Sequence, residues 1–138
     1  MKRGSKLQIG HQGKDIYYNG NDGEVQLATS PDSAIFFGAH TTGGWPIIHS
    51  TTLHSRVWYH VVAQVDFVTR KERLFIDGVL QREVDLASGS FVSTGSGYPP
   101  TIGSYNNGTF FYGIVGIIDE VRISNKIREV SEFHLNKY

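Results

Sequence analysis

Two adjacent carboxylates are the first residues of this sequence that could do chemistry. Asp119 and Glu120 lie in the stretch GIIDEVRIS (residues 116–124), an apolar run that predicts a β-strand and continues through Arg122. Cleavage of a glycosidic bond needs two carboxyl groups about 5–5.5 Å or about 6.5–9.5 Å apart. Neighbouring residues of a strand point to opposite faces of the sheet, so this spacing does not predict a catalytic pair.

The same stretch alternates irregularly, which favours a structural role for its charges. In a regular strand Ile118 lies on one face, whereas Val121 and Ile123 lie on the other. A bulge or kink near Asp119 would restore a common apolar face and turn this carboxylate inward. A buried carboxylate must accept hydrogen bonds from backbone N–H groups or from an arginine. We therefore predict that Asp119 and Arg122 are structural anchors.

Four histidines in a short segment raise the question of a zinc site: His40, His49, His54 and His60. Zinc requires three or four ligands that converge within about 2.1 Å of one point. These residues fall on different predicted strands and turns, without an H-x-H or H-E-x-x-H pattern, so the sequence favours ordinary polar histidines. The chain has no cysteine, which excludes disulfides, thiolate zinc sites and a thiol nucleophile.

Aromatic and amide side chains on predicted loops are the candidates for ligand binding. A sugar ring has one apolar face and several hydroxyls, so it binds to an aromatic ring that stands beside planar polar groups. Trp45 in TTGGWP supplies such a ring, as does Tyr105 with Asn106 in GSYNNGTFFY. The alternative is that each ring packs over an edge of the fold and binds nothing. The sequence leaves both interpretations open.

The elements that must position these residues are strands. Around VVAQVDF the apolar residues of one predicted face are Tyr59, Val61, Ala63, Val65 and Phe67. His60, Gln64 and Asp66 share the other face. Similar runs are separated by turn signals such as Asp77-Gly78, so the pattern predicts an all-β fold, an antiparallel sandwich of two sheets. We expect one domain over residues 1–138.

Only the tail has helical spacing. Ile127, Val130 and Phe133 recur three residues apart, and Asn125 could serve as an N-cap. The sequence therefore predicts a short C-terminal helix.

The charge of the chain bears on its partners. The 138 residues carry 13 Lys+Arg and 13 Asp+Glu, a formal net charge of zero. A neutral chain does not attract nucleic acid or an anionic membrane as a whole. The first residues, MKRGSKLQIG, lack the apolar stretch of a signal peptide. We expect neither a nucleic-acid nor a membrane partner.

Four motifs occur in a characteristic order: WYHVVAQVDF (58–67), LFIDGVLQ (74–81), TIGSY (101–105) and GIIDEVRIS (116–124). Together they resemble the laminin G-like branch of the concanavalin A-like lectin/glucanase superfamily. The resemblance implies a jelly-roll sandwich, with Trp58 and His60 in structural roles. With the alternation, it predicts that the core includes Trp58, Val61, Val65, Phe75, Ile76, Val121 and Ile123.

The resemblance also implies a function, a non-catalytic module that recognises glycan or protein through its loops. Related glucanases carry E-x-D-x-E or E-x-D-x-x-E on one strand. The nearest string here, EVDLAS (83–88), has Ala87 and Ser88 in the places of the third acid. A glycan hydrolase or lyase is one alternative, and a self-associating structural unit without a small ligand is another. The resemblance suggests an extracellular location if the chain is part of a larger protein.

Calcium is the one cofactor that the resemblance implies, because related domains often bind it at the rim formed by the loops. Asp15, Asn19 and Asp22 in DIYYNGND carry oxygen ligands of the right type. Asn-Gly and Asp-Gly are also ordinary turn sequences, so these residues could simply form turns.

The start of the chain departs from the family pattern, because KRGSK already resembles its middle. We expect roughly the first quarter of the domain to be missing or replaced. The strand predicted at 117–124 would then expose unpaired backbone groups. Residues 7–10 could fill the gap, the tail at 127–138 could cover it, or two chains could complete each other. We expect the last, a symmetric homodimer.

Overall fold

The computed structural model describes residues 6–8, 15–19, 25–30, 32–92, 101–106, 111–113 and 116–133. Among them, no helix is long and apolar enough to cross a membrane. The strands are β1 (Lys6–Gln8), β2 (Asp15–Asn19), β3 (Val25–Thr29), β4 (Ile35–Ala39), β5 (Ile47–His49), β6 (Trp58–Tyr59), β7 (Val61–Asp66), β8 (Lys71–Ile76), β9 (Val79–Asp85), β10 (Thr101–Ile102), β11 (Ser104–Asn106), β12 (Phe111–Gly113) and β13 (Ile117–Asp119). A 3-10 helix follows at Val130–Glu132.

The strands form two packed layers. One is an antiparallel sheet in the order β10-β2-β3-β4-β5. The other contains β7-β8-β9, and the ladder β13-β1-β6 adjoins it because β6 runs into β7 with only His60 between them. β11 and β12 form a separate antiparallel ribbon. The predicted all-β sandwich is confirmed.

The core lies between β4 and β5 on one side and β8 on the other. Its buried residues are Ile35, Phe37, Ile48, Leu53, Leu74 and Ile76. Packed against them on the predicted face of β6 and β7 are Tyr59, Val61, Ala63 and Val65. Burial of each large apolar side chain stabilises the fold by roughly 1.5–3 kcal/mol.

Three predicted core residues lie outside this core. Trp58 is 39% exposed, Val121 is 51% exposed and Ile123 is 70% exposed. Their placement in the core was wrong, whereas Phe75 and Ile76 are buried as predicted.

The end of β13 explains the exposure of the two residues that follow it. The strand predicted at 117–124 stops at Asp119, and Glu120 adopts a left-handed backbone with φ of 54°. The kink predicted here is present, but it ends the strand instead of restoring a common apolar face. Val121 and Ile123 therefore follow an irregular segment and remain accessible to solvent.

β1 occupies part of the gap expected beside the last strand. Leu7 is opposite Ile118 on one side and opposite Tyr59 on the other, so β1 bridges β13 and β6. The ladder with β13 covers Ile117–Asp119 only. Residues 120–129, within the part of the chain that is described, lie in no strand.

The predicted C-terminal helix is a 3-10 helix at Val130–Glu132 in the described residues. It is one 3-10 turn capped by Glu129, whose N–H donates to Oε2 of Glu132 at 2.9 Å, and Asn125 is not its N-cap. Tertiary contacts compete with an α-helix here. Nε2 of Gln64 donates to the carbonyl oxygen of Arg128 at 2.8 Å, and the Phe133 ring packs on the sheet beside Phe75, with ring centroids 5.1 Å apart.

Candidate ligand-binding platform

Trp45 lies over the outer face of the five-stranded sheet. In β4, Phe37 and Ala39 point into the sandwich, so Gly38 between them faces outward. The indole rests on Gly38, because an added Cβ would overlap Nε1 of Trp45 and lie 3.1 Å from Cδ1. A residue with a side chain at position 38 would therefore displace the indole.

Other aromatic rings extend this surface. The rings of His40 and Trp45 stack with centroids 6.0 Å apart and planes at 28°, and both residues are half-buried. Phe36 and His49, opposite each other on β4 and β5, have ring centroids 6.1 Å apart. We call Phe36, His40, Trp45 and His49 the aromatic platform.

The platform carries polar groups as well as apolar faces. His49 and Asp32 are both exposed, and Asp32 senses His49 electrostatically. A hydrogen bond from the Ser30 hydroxyl is the main cause that lowers the pKa of Asp32, and His49 lowers it further. His49 therefore places an imidazole beside the Phe36 ring, and aromatic rings with polar groups beside them are suited to binding a sugar.

The loop that carries Trp45 is held by the loop after β9. Thr41 is fully buried, its hydroxyl donates to the carbonyl of Ser88 at 2.7 Å, and its N–H donates to Gly44 O at 2.9 Å. Nη2 of Arg70 fixes the second loop by donating to Ala87 O at 2.6 Å and to Gly89 O at 2.9 Å. These contacts preorganise the platform.

Tyr105 and Asn106 do not share a site with Trp45. They lie in β11, where Tyr105 is opposite Tyr112 and Asn106 is opposite Phe111. β11 follows β10, and β2 and β3 separate β10 from β4. β11 also lies beside β2, so about two strand spacings, roughly 10 Å, separate its backbone from that of β4, and the two predicted binding sites lie on different strands.

The calcium candidates do not converge either. Asp15 and Asn19 are the two ends of β2, opposite Ala28 and Val25, and the strand between them spans about 13 Å. Asp22 lies outside the described residues. Within the described ranges, no group of three or more His, Cys, Asp or Glu could hold a metal ion.

His60 connects two of the sequence motifs. Its N–H donates to Oδ1 of Asp77 at 2.8 Å, and the N–H of Asp77 donates back to His60 O at 2.8 Å. Asp77 and Gly78 form the β8–β9 turn with positive φ values of 50° and 78°. The imidazole is buried and lies 6.1 Å from the Phe133 ring. The motifs around Trp58 and Asp77 therefore meet at one turn.

Two other predicted anchors, Asp119 and Arg122, line a cavity of about 680 Å³ beside β7. Asp119 is half-buried, and its Oδ1 accepts the N–H of Glu120 at 3.0 Å. Arg122 is exposed on the segment after β13. The apolar wall of the cavity includes Leu27 and Phe37 from the inner face of the five-stranded sheet.

The sequence reasoning missed Glu72, which is fully buried in β8. Its Oε2 accepts the N–H of Ala39 at 3.1 Å, and its Oε1 has no hydrogen-bond partner among the described residues. Burial raises the pKa of this carboxyl to about 7, and the Ala39 amide opposes the rise. The sequence spacing could have identified it, because Glu72, Leu74 and Ile76 are two residues apart on one strand and therefore lie on the same face, which is the core face.

Comparison with known proteins is consistent with this fold. No functionally curated protein matches the chain. Its structure is similar to that of a candidate carbohydrate-binding protein from Bacteroides ovatus ATCC 8483, with a TM-score of 0.73 and 17% identity over 96% of this chain. The match spans only 39% of that protein's chain.

A second similar structure is the CBM40 domain of the IT-sialidase of Ruminococcus gnavus bound to α2,3-sialyllactose. The TM-score is 0.61 and the identity 14%, over 95% of this chain and 71% of that one. A family model, Laminin_G_3, matches residues 6–133. The chain therefore belongs to this laminin G family of the concanavalin A-like lectin/glucanases superfamily.

Proposed function

We propose that this chain is a non-catalytic carbohydrate-recognition module that stacks a sugar ring on Trp45. The observation that carries the proposal is the placement of a half-buried indole on Gly38, on the outer face of a sheet whose strand β5 presents His49 to the same side. An aromatic face offers apolar contact to the C–H side of a sugar, and the imidazole offers hydrogen bonds to its hydroxyls.

The two similar structures support this ligand class, since both are named for carbohydrate binding. Their low identity means that the choice of sugar must come from this chain's own residues. A glycan ligand also fits an extracellular location, which we propose with it.

A non-catalytic role is supported by the partners of the acids on β9. Glu83 and Asp85 share one face of this strand, which is the spacing that a carboxylate pair would need. Oε2 of Glu83 is 2.5 Å from Nε of Arg73, and Oδ1 of Asp85 is 2.5 Å from Nζ of Lys71. Both acids are therefore engaged in ion pairs on the sheet surface.

The test is an NMR titration of the two tryptophan indole N–H signals with lactose and with 3′-sialyllactose. We expect one of these sugars to shift the Trp45 signal and leave the Trp58 signal in place. Trp45→Ala should abolish binding, whereas Trp58→Phe, on the other layer, should retain it. Tyr105→Ala tests the separate site proposed at β11.

Two results would contradict the proposal. If neither indole N–H signal shifts with any sugar of a broad oligosaccharide panel, Trp45 is not a glycan-binding residue. Release of reducing sugar from a polysaccharide mixture, lost on substitution of a carboxylate, would make the chain an enzyme.

We also infer that the chain self-associates as a homodimer through residues 120–130. This segment carries four accessible apolar side chains, namely Val121, Ile123, Ile127 and Val130. It borders the cavity beside β7, so a second copy would cover apolar surface that this chain leaves exposed. A stable dimer of this kind should bury on the order of 2,000 Å².

Sedimentation equilibrium over a hundred-fold dilution tests the dimer. We expect a dimer that Ile123→Asp converts into a monomer, because the substitution places a charge in the interface. A monomer at every concentration would show that the chain covers this surface by itself.

A further inference from the structure

Three consecutive residues at the end of β4 connect the aromatic platform to the interior. Gly38 supports the indole of Trp45 on the outer face. The N–H of Ala39 donates to Oε2 of Glu72, which belongs to the opposite layer. The ring of His40 stacks on the indole. A displacement of the Ala39 amide would therefore move both supports of Trp45.

Glu72 has few polar neighbours. Its register partners are Val65 on β7 and Val84 on β9, and both pack against the apolar core. Within the described residues, the side-chain carboxyl of Glu72 has one hydrogen bond, from the N–H of Ala39 to Oε2, and Oε1 is buried without a partner. The carboxyl therefore depends on β4 for its polar contact.

The charged groups around Glu72 leave its ionisation uncompensated. On β7, Asp66 lies on the face of the sheet opposite to that of Glu72. On β9, Arg82 lies on the same face as Glu72, but Arg82 is exposed to solvent. Arg70, two residues before Glu72, is committed to the carbonyls of the loop after β9, and His40, on the platform side of β4, stacks on Trp45. Burial raises the pKa of this carboxyl and the Ala39 amide lowers it, and no charged side chain among the described residues contributes to the shift.

We propose that Glu72 is a positioning residue for the Trp45 platform, and that glycan binding at this platform is strongest while the Glu72 carboxyl is protonated. The ligand part of this inference rests on the proposed function, whereas the coupling between Glu72 and Trp45 does not.

The physical reason is the cost of a buried charge. An ionised carboxylate in an apolar interior needs several hydrogen bonds, and the described surroundings supply one amide. Above neutral pH the carboxylate must therefore gain hydrogen-bond donors from water, which would have to enter between β8 and the end of β4. Entry of water there shifts Ala39 and loosens the support that Gly38 and His40 give to the indole.

NMR of the free wild-type protein tests the coupling first, from about pH 5 to about pH 9. We expect the side-chain carboxyl carbon of Glu72, the Ala39 amide and the Trp45 indole N–H to titrate with one common midpoint near neutral pH. A Glu72 carbon that titrates at the ordinary value for glutamate would overturn the proposal without the need for any variant.

Two variants separate the contribution of Glu72 from that of His40, the imidazole that stacks on Trp45. Glu72→Gln keeps an oxygen that can accept the Ala39 N–H but cannot ionise, so the indole transition near neutral pH should disappear. It should persist in His40→Gln, provided that this variant folds. Persistence in Glu72→Gln and loss in His40→Gln would assign the transition to the histidine and contradict the proposal. Glu83→Gln, an exposed change on β9, controls for loss of a negative charge and should behave like the wild type.

Binding completes the test, with lactose and 3′-sialyllactose as the probes. We expect wild-type affinity to fall by about threefold or more from about pH 5.5 to about pH 8.5, and Glu72→Gln to bind independently of pH over this range. Equal pH dependence in both proteins would exclude Glu72 as the cause. If neither sugar binds at any pH, the proposed glycan ligand fails, while the titration of the free protein still decides whether Glu72 positions Trp45.

Discussion

The two edges of this sandwich differ in how they close. At one edge β5 meets β9, where the N–H and the hydroxyl of Thr51 both donate to Oε1 of Gln81, at 3.3 and 3.2 Å. At the other edge β7 faces the segment after β13, which lies in no strand and borders a cavity of about 680 Å³. The closed edge adjoins the fully buried Ile48, and the open edge ends in the largely exposed Ile123.

This difference shows that apolar sequence does not by itself produce burial. Ile48 and Ile123 each stand in a short stretch with another aliphatic residue, PIIH and VRIS. Ile48 is buried because β4 pairs with β5 and places it against β8, whereas Glu120 ends β13 before Ile123 can reach a partner. The contact across the layers decides which isoleucine contributes to stability.

Leu74→Ala should have the largest effect, because it empties a fully buried position next to the closed edge. We expect the free energy of unfolding to fall by roughly 2–5 kcal/mol. Urea denaturation followed by circular dichroism measures it.

Ile123→Ala is the matched control at the open edge. An exposed side chain contributes little, so we expect a change within about 0.5 kcal/mol in dilute, monomeric protein. A loss of stability as large as that of Leu74→Ala would mean that the open edge is packed in solution and that the two edges do not differ.

Glu72→Gln should stabilise the protein at alkaline pH. The carboxyl has an ordinary pKa of 4.5 when the chain is unfolded and a pKa of about 7 in the fold. Between these values the folded state binds the additional proton, so the free energy of unfolding falls as pH rises from 4.5 to about 7, and this effect is then constant. Removing the ionisable group should gain about 3 kcal/mol above pH 7 and nothing below pH 4.5.

Thermal or urea denaturation across pH measures this difference between Glu72→Gln and the wild type. Glu83→Gln is its control, because the ion pair with Arg73 lies on the surface of the same layer. Parallel stability–pH curves for wild type and Glu72→Gln would show that the carboxyl reaches solvent.

Asp119→Ala should have a smaller effect than Leu74→Ala or Glu72→Gln. The half-buried carboxylate accepts the N–H of Glu120, the residue with the left-handed backbone, so its loss weakens the kink that ends β13. We expect a loss of about 1–2 kcal/mol. A loss of 4 kcal/mol or more, at the level of a broken buried ion pair, would show that Asp119 anchors a buried charge; unchanged stability with lost sugar binding would make it a ligand residue.

Sequence alone determined the features that depend on local chemistry. The period of two in VVAQVDF predicted which face of β7 meets the core, because side chains alternate along any strand. Asp77-Gly78 predicted the β8–β9 turn, because both residues accept positive φ. The motif order predicted the family and with it the two-layer architecture.

Tertiary structure decided the rest. Trp45 sits on Gly38 only because the loop after β9 holds Thr41, a contact between residues 47 positions apart. The sequence does not distinguish Glu72 from other glutamates in strands. Its hydrogen-bond partner, Ala39 on β4 of the other layer, is 33 positions away in the chain. Local alternation carries no information about such partners, because burial and hydrogen bonding depend on which strand crosses at each point.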